Sequence, residues 1–119
     1  MKRDQAAKIL RIHISESDRI AVTVLYEAII AKCRQMQIAG ATVFRGIEGY
    51  GETGELHTAH LVRHDQPIVI TVVDSAENVA RLVPVVEEMM HTGLIACSNV
   101  RSIRIEKNKP GIAGPRIGT

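Results

Sequence analysis

At 119 residues the chain has room for one domain with a core of its own. Fifteen basic side chains against 13 acidic ones leave a formal net charge of +2, too small for a nucleic-acid surface, and one Phe, two Tyr and no Trp exclude the base-stacking platform of RNA-binding sheets. No apolar run approaches the roughly 20 residues that span a bilayer, the N-terminal residues lack a signal peptide's apolar stretch, and Cys33 and Cys97 sit singly in core-like settings. These features predict a cytoplasmic protein with free thiols and no membrane insertion.

The first strand is expected over residues 8–14, where Leu10, Ile12 and Ile14 alternate with Arg11 and His13. Ser15-Glu16-Ser17-Asp18 offers capping side chains, and a first helix is predicted over 20–37 with Val22, Leu25, Ile29, Cys33 and Met36 as its apolar stripe. Gly40 is its expected stop. A second strand begins at Ala41 and dissolves into Gly46, Gly49 and Gly51, opening a long connection that ends at Pro67. Connections of about 15 or more residues in a small domain generally carry function. The third strand covers 68–73, and Asp74-Ser75 caps a second helix over 76–91, striped by Val79, Leu82, Val83, Val86 and Met90. Pro84 inside it should kink or disturb one turn. A short strand over 94–97 and a longer one over 100–106 follow, and residues 108–119 read as a flexible tail behind a domain at 1–107.

The order is therefore β-α-β-β-α-β with an extra short strand: an α+β, ferredoxin-like antiparallel sheet with two helices on one face. In the third strand Ile68, Ile70 and Val72 point one way and Val69, Thr71 and Val73 the other, so both faces are apolar. Two helices cover only one face of such a sheet. A second copy of the chain is the economical cover for the other, which predicts a homo-oligomer.

Chemistry-bearing residues cluster around the long connection. Gly46, Gly49 and Gly51 allow positive φ and close approach to a ligand, and successive amides there can form an anion-binding nest. A hairpin or bulge that simply needs glycine is the plainer explanation from spacing alone. Arg45, Arg63, Arg101 and Arg104 are the nearby cations. Arg104 shares a strand face with Ser102 and could reach a phosphate bidentately, or serve as a solvated edge charge. His57, His60 and His64 allow a metal site if they converge, against a plain polar loop. There is no nucleophile elbow, Walker motif or paired metal motif, and Asp74, Glu87 and Glu88 sit at ordinary helix positions. The chain reads as a binding and regulatory module, not an enzyme.

Gly40-Ala41-Thr42-Val43, followed by Gly49-Tyr50-Gly51, is similar to the Gly-x-Thr-Val leading to Gly-Phe-Gly of PII-like signalling proteins, with one additional residue between the phrases. Thr92-Gly93 resembles the Thr-Gly that opens their second ligand loop. A closer resemblance is to a small branch of that superfamily, domain of unknown function 190, through Leu25-Tyr26-Glu27-Ala28-Ile29, Ala39-Gly40-Ala41-Thr42-Val43 with Arg45-Gly46, His57-Thr58-Ala59, Pro67, Val73-Asp74-Ser75 and Pro84. It covers about Leu10 to Ile105.

The resemblance implies a homotrimer with an adenine nucleotide, with or without magnesium, in clefts between subunits. It implies a mobile T-loop that regulates a partner such as a transporter or metabolic enzyme, and no obligatory cofactor. The residues it assigns to the cleft, together with the glycine and arginine arguments, are Thr42, Arg45, Gly46, Gly49, Tyr50, Gly51, Thr92, Gly93 and Arg104. The PII Gly-Asp-Gly-Lys after the second Thr-Gly is replaced here by Leu94-Ile95-Ala96-Cys97-Ser98-Asn99, and the modified tyrosine of PII loops has no counterpart. The alternative is a metal-binding or metal-tolerance trimer using His57, His60 and His64.

Overall fold

The computed structural model describes residues 4–50, 56–58 and 65–107. Strand β1 spans Asp4–Ser15, and its inner residues Leu10, Ile12 and Ile14 are buried while Arg11 and His13 are exposed. Two short strands, β2 (Arg19–Ile20) and β3 (Thr23–Val24), pair with each other before helix α1 (Leu25–Gln35). Strand β4 (Ala41–Arg45) follows, then β5 (Glu48–Tyr50), β6 (Leu56–Thr58) and β7 (Pro67–Asp74). Helix α2 (Ala76–Met89) and strand β8 (Leu94–Ile103) complete the order.

The main sheet has four strands in the order β4-β7-β1-β8, antiparallel at every pairing. Its core face sets Leu10, Ile12 and Ile14 beside Ile68, Ile70 and Val72, in the register Leu10↔Val72, Ile12↔Ile70 and Ile14↔Ile68. Both helices lay their apolar stripes on this face: Leu25, Ile29 and Cys33 from α1, Val79, Leu82 and Val86 from α2. This is the expected α+β, ferredoxin-like sheet with two helices on one face. Burial also pushes the Cys33 thiol above its usual range, so it packs as a small apolar side chain.

Several boundaries differ from the sequence-based expectation, each for a physical reason. The first helix starts at Leu25, five residues later than expected, because Asp18 is used differently. Its carboxylate accepts from the Ser15 amide at 2.9 Å and its carbonyl from the Leu25 amide at 2.9 Å, closing a turn instead of capping a helix. Ala21 takes φ 54 at the tip of that turn, so Val22 is 89% exposed and belongs to no stripe. The N-cap is Val24, whose side chain makes no capping bond.

The first helix also stops before Gly40. Gln37 adopts φ 61, its amide donates to the Arg34 carbonyl at 3.1 Å, and the Ile38 amide donates to the Cys33 carbonyl at 3.0 Å. These two bonds make a Schellman ending in which a glutamine holds the left-handed position and Ile38 folds back onto the core. A non-glycine residue there costs backbone energy. Gln37→Gly is therefore expected to stabilise the protein by about 0.5–1 kcal/mol, read as a rise in the urea midpoint at unchanged slope.

The second helix runs without a break through Pro84. The missing proline amide leaves the Ala80 carbonyl without its helical donor, but both residues face solvent, where water takes that role. At its start the Ser75 hydroxyl accepts from the Asn78 amide at 3.1 Å, the expected cap. Asp74 reinforces it, accepting from Ser75 N at 2.7 Å and Asn78 Nδ2 at 3.1 Å, and from Ala39 N at 2.8 Å across the fold. Partial burial pushes this carboxyl up, but the amide bonds, Asn78 and the Arg81 charge outweigh it and leave its pKa below the usual value. A carboxylate whose folded pKa is lowered adds stability that is complete above its unfolded pKa of about 3.9 and lost as pH falls through the folded value. Asp74→Asn should thus destabilise at neutral pH, and its difference from the parent should shrink in acid titrations below about pH 4.

Two strands expected after α2 form one. β8 pairs with β1 from Asp4↔Ile103 to His13↔Leu94, so β1 also starts earlier than the alternating pattern indicates. The long connection between β4 and β7 is not structureless: Glu48↔Thr58, Gly49↔His57 and Tyr50↔Leu56 form a separate two-stranded ladder. The proposed tail, residues 108–119, lies outside the described residues. Among the described residues no helix is long and apolar enough to cross a membrane.

Candidate functional site

One end of the sheet collects most of the residues singled out above. Here β4 and β1 end while β7 and β8 begin, so Arg45, Ile68 and Ile14 stand side by side, with Gly93 entering β8 beyond them. The base of the long connection is tied down from both sides. The Gly46 amide donates to the Pro67 carbonyl at 2.7 Å, continuing the β4–β7 ladder past the strand end. The turn after β1 holds the returning segment: the Glu16 amide donates to the Gln66 carbonyl at 2.8 Å, and the Ser17 hydroxyl to Asp65 Oδ1 at 2.7 Å.

Arg45 closes this arrangement by pairing with Glu16, Nη2 to Oε2 at 2.6 Å. Hydrogen bonding to Glu16, then its charge, with Tyr26 adding a smaller contribution, hold the guanidinium still more firmly protonated than usual. The arginine side chain is 48% exposed, so the pair contributes at most about 1 kcal/mol to stability. Glu16 Oε1 is buried and has no hydrogen-bond partner among the described residues.

Two glycines at this end are sterically required. A Cβ on Gly46 would stand 2.8 Å from Cγ of the Pro67 ring. Gly93 has φ 136, and a Cβ there would stand 2.6 Å from the His13 carbonyl oxygen and 2.7 Å from the Met90 methyl. Gly93 with Thr92 also lines an open depression of about 360 Å³, together with Glu87, Met90 and His91 at the end of α2 and Ile95. Sequence reasoning missed these four. The available signal was the polar pair Glu87 and His91, close in sequence to Thr92-Gly93.

The expected cleft residues do not meet within one chain. Thr42, Arg45 and Gly46 belong to the β4 edge, Thr92 and Gly93 to the β8 edge. Three strand spacings, about 14 Å, separate these edges. Alternation puts Thr42 on the open face and Arg45 on the helix face. Gly49 and Tyr50 lie on β5, and Gly51 lies outside the described residues. Arg104 follows the last residue of β8, at the far end of the sheet from Gly93. Arg101 is engaged by Asp4, Nε to Oδ1 at 3.2 Å with a second bond from Nη2 to Oδ2. Of the histidines, His57 is on β6, whereas His60 and His64, like Arg63, are outside the described residues. Among the described residues no three His, Cys, Asp or Glu side chains are grouped to hold a metal.

The open face of the sheet is exposed near this end. Phe44, Val69, His13 and Leu94 form a row across all four strands, and Phe44 and Leu94 are 55% and 60% exposed. Val73, 39% exposed, lies beside Ile9 on the same face.

Comparison with known proteins agrees with this architecture. Residues 7–102 match the DUF190 family model, described as Uncharacterized ACR. A UPF0166 protein of Aquifex aeolicus is 33% identical over 98 residues, 81% of this chain and 92% of the relative. A UPF0166 protein of Methanocaldococcus jannaschii is 35% identical over 91 residues, 75% of this chain and 84% of the relative. Among solved structures, CPII, a nitrogen regulatory PII-like protein from Thiomonas intermedia K12 bound to ADP, AMP and bicarbonate, is similar with TM-score 0.65 and 20% identity, covering 87% of this chain and 94% of CPII. A putative PII-like signaling protein from Thermus thermophilus is similar with TM-score 0.59 and 18% identity, again covering 87% and 94%. A ferredoxin-like sheet with this connection at its end, and a family match over nearly all of it, lead to one assignment: the chain belongs to the DUF190 family, a branch with the PII-like fold.

Proposed function

We propose that this protein is a cytoplasmic PII-like regulatory protein that binds an adenine nucleotide between the subunits of a homotrimer, without catalysing a reaction on it. The observation that carries this reading is the placement of the candidate ligand segments. Thr42 to Gly46 and Thr92-Gly93 lie at the same end of the sheet on opposite edges, each open to solvent in a single chain. A second copy that brings its β8 edge beside the first copy's β4 edge unites them. The apolar row Phe44, Val69 and Leu94 on the open face supplies the contact surface for that association. The nucleotide assignment draws on CPII, whose structure holds ADP, AMP and bicarbonate on the same fold.

In this reading the half-exposed Arg45 and the amides around Gly46 and Gly93 face the phosphates. The connection between β4 and β7 carries the signal to a partner protein such as a transporter or a metabolic enzyme. A ligand shifts that connection only as far as it binds one arrangement more tightly than another. The replacement of Gly-Asp-Gly-Lys by Leu94 to Asn99 removes one phosphate-binding loop, so affinity rests more heavily on the β4 edge.

A thermal-shift panel of ATP, ADP, AMP, cyclic AMP, S-adenosylmethionine, zinc and copper, with and without magnesium, tests the reading alongside light scattering. A ligand at about 100 times its dissociation constant adds roughly 2.7 kcal/mol of stability. Stabilisation by an adenine nucleotide in a trimeric species is the expected result. Stabilisation by zinc or copper alone, lost when His57, His60 and His64 are replaced together, would transfer the function to the histidines. A strict monomer at micromolar concentration would remove the inter-subunit cleft.

A further inference from the structure

The open sheet face carries a cluster of hydrogen-bond donors that the fold does not use. Arg11 and His13 lie two positions apart on β1, on the face away from the helices, with their backbones about 7 Å apart. The register sets Thr71 of β7 opposite Arg11 and Thr42 of β4 next to Thr71. Directly opposed residues sit about 5 Å apart, so Arg11, His13 and Thr71 converge on one patch. None of these side chains makes a hydrogen bond or ion pair among the described residues. Other arginines do: Arg45 is held by Glu16, Arg81 by the Met36 carbonyl and Asn78, and Arg101 by Asp4.

Among the described residues the face around the patch carries no acid. Along β1 the same face continues to Ile9 and Ser15; on β7 it presents Val69 and Thr71, and on β8 Leu94 and Ala96. An unpaired arginine in the middle of a sheet, ringed by threonine and apolar side chains, has no structural task in a single chain. It also differs from an edge charge that prevents strand addition, because β1 is flanked by β7 and β8 on both sides.

We propose that the open face binds a small tetrahedral oxyanion of the sulfate or phosphate class through Arg11, His13 and Thr71, at the seam where copies of this chain meet. The inference rests on the oligomer proposed above. Copies that cover the face withdraw Arg11 from water, and a cation so withdrawn needs a counter-charge. Each copy contributes the same donors from this face and, among the described residues, no carboxylate, so an anion shared between guanidinium groups supplies the balance. This site uses the open face, whereas the nucleotide cleft uses the strand ends and the edges; Thr42, next to Thr71, borders both.

The test is thermal unfolding of the full chain in millimolar sodium sulfate against sodium chloride of equal ionic strength, with the oligomer followed by light scattering. The expected result is a higher midpoint in sulfate than in chloride, in an oligomeric species. Arg11→Gln should lower sulfate affinity by about tenfold, the value of one charge-assisted hydrogen bond, while remaining folded because residue 11 is exposed. His13→Ala should likewise reduce the sulfate response, because it removes a second donor from an exposed position. Neither variant should alter stabilisation by the adenine nucleotide. Equal midpoints in sulfate and chloride for an oligomeric protein would overturn the anion site while leaving the oligomer and the nucleotide reading standing. A monomer would overturn the site together with the oligomer.

Discussion

Gly93→Ala is expected to destabilise the protein by about 3 kcal/mol or more, summing backbone strain and overpacking. Two effects act together. The backbone at φ 136 is one that L side chains rarely adopt, and the new methyl would press on the His13 carbonyl at 2.6 Å. A carbonyl within the β1–β8 ladder cannot turn aside without losing sheet pairing. The Met90 methyl, 2.7 Å away, can move, so most of the cost comes from the backbone contact. Gly40→Ala is the matched control, because nothing lies within 4 Å of the added carbon. Chemical denaturation of both variants checks the contrast, and a Gly93→Ala change within about 0.5 kcal/mol of the parent would refute the steric account.

The Thr92-Gly93 pair shows how far the sequence was legible. Its likeness to a ligand loop singled the position out. The immediate reason for the glycine, however, is a close approach between β8 and β1, and that contact joins residues nearly 80 positions apart in the chain. The core was legible because its pattern is local: Leu10, Ile12 and Ile14 alternate, and the helix stripes recur at three- and four-residue steps. The start of β1 was not, since Asp4 to Ala7 carries no alternation and is held by pairing with β8. Ser98-Asn99 read as a break between strands for the converse reason: polar residues sit comfortably on an exposed edge strand. Ala21 and Val22 looked like the first turn of a helix until Asp18 took the Ser15 and Leu25 amides. At the candidate site, Arg45 and Gly46 were visible as a motif. Glu16, which occupies the arginine, carried no signal because it belongs to a different turn.

Ile70→Ala should cost about 2–5 kcal/mol, the range for removing a fully buried isoleucine. Ile70 is 0% exposed, stands between Ile12 and Val43 in the sheet and lies beneath both helices, so little can move to fill the void. Against a typical domain stability of about 5–15 kcal/mol this leaves a marginal fold. Its neighbour Val69 points to the open face, and Val69→Ala should be much milder in isolated chains. Urea unfolding of the two variants at several protein concentrations separates the roles. The Ile70→Ala loss should persist at all concentrations, whereas a Val69→Ala loss that grows with concentration would mark the open face as a contact between copies.

The pairing of Asp4 with Ile103 has a consequence for the order in which the chain is strung together. Cα atoms opposed in an antiparallel ladder lie about 5 Å apart, so the two ends of the sheet-forming region are neighbours. A short linker from Ile103 back to Asp4 would turn the most distant pairing in the chain into its most local hairpin. Gly40, exposed and with open space around its α-carbon, is a suitable place to cut new ends. Such a circular permutant keeps every layer of the fold while lowering its contact order, and it should reach the folded state faster than the natural connectivity does.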